Sequence, residues 1–69
     1  MNASELKGHL RGLVNAYVTN PVEKEKLLAL IEVDNVPVKG IMAELTPYLS
    51  GVVSDYEAII IKDIVFNYC

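Results

Sequence analysis

Apolar positions along the chain fall into four segments separated by polar or turn-forming residues. In the first, Leu6, Leu10, Leu13, Val14, Tyr17 and Val18 recur at three- and four-residue steps. That spacing predicts one apolar stripe on a helix from about Ala3 to Thr19. Asn2 or Ser4 can cap its start, and Asn2 with Glu5 has capping-box spacing. The second segment opens Asn20-Pro21-Val22-Glu23. Asparagine suits the N-cap, proline the first helical position, and Glu23 the third position of a box. Leu27, Leu28, Leu30 and Ile31 are expected inward, the mixed charges of 23–26 outward, and Asp34-Asn35 ends the run.

The third segment begins near Val36-Pro37. Val38, Ile41, Met42, Leu45, Tyr48 and Leu49 keep helical spacing across Pro47. An internal proline removes one N–H and crowds the preceding turn. Two readings follow: one helix from about 37 to 50, or a break with Thr46 capping a new turn. Gly51 is placed to end the segment.

The fourth segment is apolar on nearly every side. Ser54-Asp55-Tyr56-Glu57 has capping-box form, and AIIIKDIVFNYC follows over 58–69. The box and Ala58 favour a helix. A strand pair is the alternative, because Ile59–Ile61 and Ile64–Phe66 are β formers. The intervening Lys62-Asp63 lacks the Gly or Asn of tight hairpins. Short connections make consecutive helices neighbours. The expected fold is therefore all-α: one domain over 1–69, a small bundle of three to four helices with the apolar C-terminal helix at its centre.

Composition sharpens one part of this picture. At 69 residues and 52% apolar, the chain carries many apolar side chains for so small a body. Small domains often add a disulfide, a metal or a second subunit. Cys69 is the single cysteine and His9 the single histidine, so no internal disulfide and no structural zinc are expected. Association remains. A homo-oligomer, with a dimer favoured, is expected to form through faces of the fourth helix that the other three leave bare. Tyr56, Ile60, Ile64, Phe66 and Tyr68 are its candidate residues. Gly8 and Gly12 add a smooth stripe on the first helix, suited to close helix approach. Each glycine costs about 1 kcal/mol against alanine in a helix, so the pair wants a reason.

The formal charge of −3 and six scattered basic residues speak against a nucleic-acid or anionic-membrane partner. No apolar run reaches a membrane span, the N-terminus lacks an uninterrupted apolar leader, and one unpaired cysteine fits a reducing cytoplasm. Neither His9 nor the set Asp55, Glu57 and Asp63 has catalytic spacing or company, so no catalytic residue and no cofactor is expected. The function expected is a regulator or inhibitor that binds a larger protein partner. Two other classes stay open. One is a binder of an anionic metabolite or nucleotide, with tyrosines against a ring and Lys7, Arg11 or Lys62 against the charge. The other is a helix-turn-helix DNA binder, weakened because its recognition helix offers only Lys39 against Glu44.

Overall fold

Caps decide where the helices begin. In a computed structural model, which describes residues 1–69, the Asn2 side chain accepts from the Glu5 N–H at 2.8 Å. The Glu5 carboxylate returns to the Asn2 N–H at 3.1 Å. Helix α1 therefore starts at Ala3 and runs to Tyr17. Asn20 accepts from both the Val22 and Glu23 N–H groups at 3.0 Å and starts α2, Pro21–Ile31. The second half of that expected box is not made. The Glu23 carboxylate lies 3.8 Å from the Lys26 ammonium, one turn on, instead of returning to the Asn20 N–H. Ser54 and Glu57 make the full reciprocal box, at 3.2 and 2.9 Å, and start α4, Asp55–Tyr68. The strand alternative for 59–66 does not occur; these residues are helical throughout.

Helix α3, Val38–Leu49, begins without a side-chain cap and passes through Pro47 unbroken. Thr46 caps nothing. Its hydroxyl donates back to the Met42 carbonyl at 2.7 Å, as an interior helical threonine does. The proline leaves the Ala43 carbonyl without its usual donor, and Ala43 and Pro47 both lie on the exposed side. Gly51 follows with φ of +76°, the left-handed conformation that stops a helix most cheaply at glycine.

The core is built from α1, α2 and α3. Leu10, Val14, Leu27, Ile31, Ile41 and Leu45 are sealed from solvent, with Leu6, Leu13, Val18, Val38, Met42 and Leu49 around them. Helix α1 packs against α2 and α3, and α4 packs chiefly on α3. Two ion pairs brace the frame, Arg11–Glu32 between α1 and the end of α2, and Lys26–Glu44 between α2 and α3, each at 2.8 Å. The Cα radius of gyration, 11.0 Å, equals the roughly 11 Å of a compact chain this long. The body is flattened, 27 × 26 × 16 Å.

One expectation is overturned. Helix α4 is not central. It contributes a single fully buried residue, Ile64, and lies at the edge of the body. An all-round apolar helix needs neighbours all round, and α4 has one main neighbour.

Candidate interaction surface

Ile64, at 0% exposure, fixes how α4 is rotated. At about 100° per residue, Ile60 and Ile61 flank it and pack half-buried on the core. Asp55, Ile59, Lys62 and Phe66 then fall on the opposite side. The burial agrees: Ile59 is 66% exposed, Phe66 88%, and Tyr56, between the two sides, 71%. Ile59 and Phe66 border a shallow hollow of about 510 Å³ shared with Ile60, Lys62 and Asp63. Exposed apolar side chains grouped in this way are where proteins meet partners.

Ile64, a candidate for the uncovered side of α4, is instead fully buried. It is the anchor of α4 in the apolar core. Ile60 is half-buried. Tyr68, 37% exposed, donates its hydroxyl to the Met1 carbonyl at 2.8 Å. Ile59 and Val65, both exposed, are missing from the sequence-derived set. Ile59 becomes visible only once Ile64 is known to point inward, since five residues apart on a helix are well over a quarter turn away.

Helices α1 and α4 run antiparallel with an open groove between them. At one end, Tyr17 near the close of α1 donates its hydroxyl to the Glu57 carboxylate in the first turn of α4. At the other end stands the Tyr68–Met1 bond. Between these ties lie Gly8, His9, Gly12 and Leu13 on one wall and Tyr56, Glu57 and Ile60 on the other, enclosing about 230 Å³. A methyl group added at Gly8 or Gly12 would meet no atom within 4 Å. Close packing inside the fold is therefore not what the glycines serve.

The Tyr17–Glu57 bond sets the local electrostatics. The phenol hydroxyl holds the Glu57 carboxyl below its ordinary value, helped by the Ser54 N–H. The same bond, with some loss of solvent and the nearby negative charge, pushes the Tyr17 phenol above its own. The two partners lie 40 residues apart in the chain. Glu57 thus serves two helices at once, as cap and as acceptor.

The basic residues do not converge. Arg11 is taken up by Glu32, Lys7 lies beside Asp34 and Tyr68 in a separate depression, and Lys62 is on the outer side of α4. His9 borders the groove and makes no side-chain hydrogen bond. No three of the His, Cys, Asp and Glu side chains gather closely enough to hold a metal ion. No helix is long and apolar enough to cross a membrane. No family model, curated protein or solved structure matches the chain.

Proposed function

We propose that this chain is a non-catalytic interaction module that associates with itself through the outer side of α4. The assembled form presents its acidic surface to a larger protein and regulates it. One observation carries the reading. Of the nine large apolar side chains that stay exposed, five lie on α4: Tyr56, Ile59, Val65, Phe66 and Tyr68. Phenylalanine left 88% exposed on a regular, well-capped helix contributes nothing to the monomer's core.

Other features support binding over chemistry. Glu57 is committed to capping and to Tyr17, and Arg11 and Lys26 to ion pairs between helices. The net charge of −3 favours a target with a basic face, where complementary charge speeds encounter and selects the partner. A reducing cytoplasm suits the exposed, unpaired Cys69.

Sedimentation equilibrium of the pure protein tests the first half. A dimer at micromolar concentration is expected, and Phe66→Glu should convert it to a monomer with unchanged helical content. A strictly monomeric wild type removes the self-association reading.

A further inference from the structure

Along the outer side of α4 the charges and apolar groups follow an order that a two-fold axis at Ile59 makes self-complementary. Lys62 lies three residues after Ile59 and Asp55 four residues before it. Both face away from the core, and neither forms an ion pair within the chain. Phe66, 88% exposed, lies seven residues after Ile59 on the same side. On the edge nearer α1, Asp63 lies four residues after Ile59 and Tyr56 three before.

We infer that a second copy of this chain docks on α4 antiparallel, with the two-fold axis passing at Ile59 and each Lys62 meeting Asp55 of the other copy. This rests on the self-association reading above and adds its geometry. A two-fold axis between antiparallel helices carries position 59 + n of one onto 59 − n of the other and keeps each edge of the interface on its own side. At 1.5 Å per residue, Lys62 and Asp55 of the opposing copies come level to within about 1.5 Å along the axis. They lie on one edge, and symmetry makes the pair twice. On the other edge the Tyr56 hydroxyl comes level with Asp63 to the same tolerance, again twice. Ile59 packs on Ile59 at the centre.

A parallel pair would match the side chains differently. Its two-fold axis runs along the helices and exchanges the edges, so Lys62 would come level with Asp63 of the other copy and Tyr56 with Asp55, while the two helix dipoles would lie side by side in the same direction. The size is also sufficient for a modest dimer. Taking ~200 Å² for a whole large side chain, Tyr56, Ile59 and Phe66 offer roughly 450 Å² per copy. The pair then buries about 900 Å² from these alone, near the ~1,000 Å² of a specific interface. The Lys62 stem, on the same side, adds to it.

Two measurements test the arrangement. The first is a charge exchange followed by sedimentation. Lys62→Asp and Asp55→Lys, each alone, should weaken the dimer roughly tenfold, since each disturbs two exposed pairs and creates repulsion. The double variant should recover to within a few-fold of wild type; a double variant as weak as the sum of the two overturns the pairing. The second uses disulfide formation under mild oxidation. Ile59→Cys in a Cys69→Ser background should cross-link quickly at the axis. Wild-type Cys69, about 15 Å from the axis along each helix, should not. Rapid cross-linking through Cys69 would show a parallel pair. A dimer in sedimentation with neither cross-link would place the contact off the Ile59 axis, overturning this geometry while leaving self-association standing. A monomer throughout removes both.

Discussion

Glu57 is the residue with the most at stake. It closes the α4 cap, which the Ser54–Glu57 spacing announces, and it accepts from Tyr17, which no local pattern can announce because the partner lies 40 residues away. Tyr17→Phe should raise the Glu57 pKa toward its ordinary value, read by NMR titration of the side-chain carboxyl. The sign of the pH dependence follows. Glu57 is held low in the folded chain, so its contribution is present above the ordinary carboxylate range, ~4.3, and is lost as pH falls through the depressed value. Tyr17 is held high, so its contribution is present below ~10 and is lost as pH rises through the raised value. Acid unfolding monitored by circular dichroism should therefore begin at higher pH in Tyr17→Phe. The glycines give a second test at this scale. Each methyl of Gly8→Ala and Gly12→Ala enters open space, so thermal stability should rise by about 1 kcal/mol per site. A double variant more stable as a monomer yet weaker in assembly would put the glycine stripe in the interface.

Among the elements, α4 is the least firmly held. Ile64→Ala should cost about 2–5 kcal/mol, comparable with the whole stability of a domain this size, roughly 3–10 kcal/mol. Phe66→Ser, on the opposite side, should change monomer stability by no more than about 0.5 kcal/mol. Chemical denaturation of the two variants under monomeric conditions separates the roles. Amide hydrogen exchange should also find α4 opening before α1 and α2, because one buried residue and two tyrosine ties hold it. The chain's pattern discloses most of these elements. Asn2, Asn20 and Ser54 each mark a start within a residue or two, and Leu6 to Val14 mark the inward side of α1. The inward side of α4 is not legible in the same way. Ile59, Ile60, Ile61 and Ile64 are alike in hydropathy, and only contact with α3 distinguishes the anchor from the exposed side. The peripheral place of α4 is hidden for the same reason. The passage of α3 through Pro47 is settled by the Thr46 hydroxyl, which turns to the Met42 carbonyl instead of capping.

At the scale of the whole molecule, the flattened body and the edge position of α4 set the shape of any dimer. Two such bodies joined edge to edge through α4 form an extended particle. Small-angle scattering should give a radius of gyration well above the roughly 14 Å of a compact body of twice this length. A value near 14 Å would mean stacking on the broad faces. The Tyr68–Met1 bond has a different consequence. It brings Met1 and Tyr68 side by side, so the backbone between them traces a nearly closed ring with a single gap. Bridging that gap with a few flexible residues and reopening the chain in the exposed Glu32–Pro37 segment would give the order α3, α4, α1, α2 with every helix in place. In such a permutant the edge helix would sit in the interior of the chain, tethered by peptide bonds at both ends.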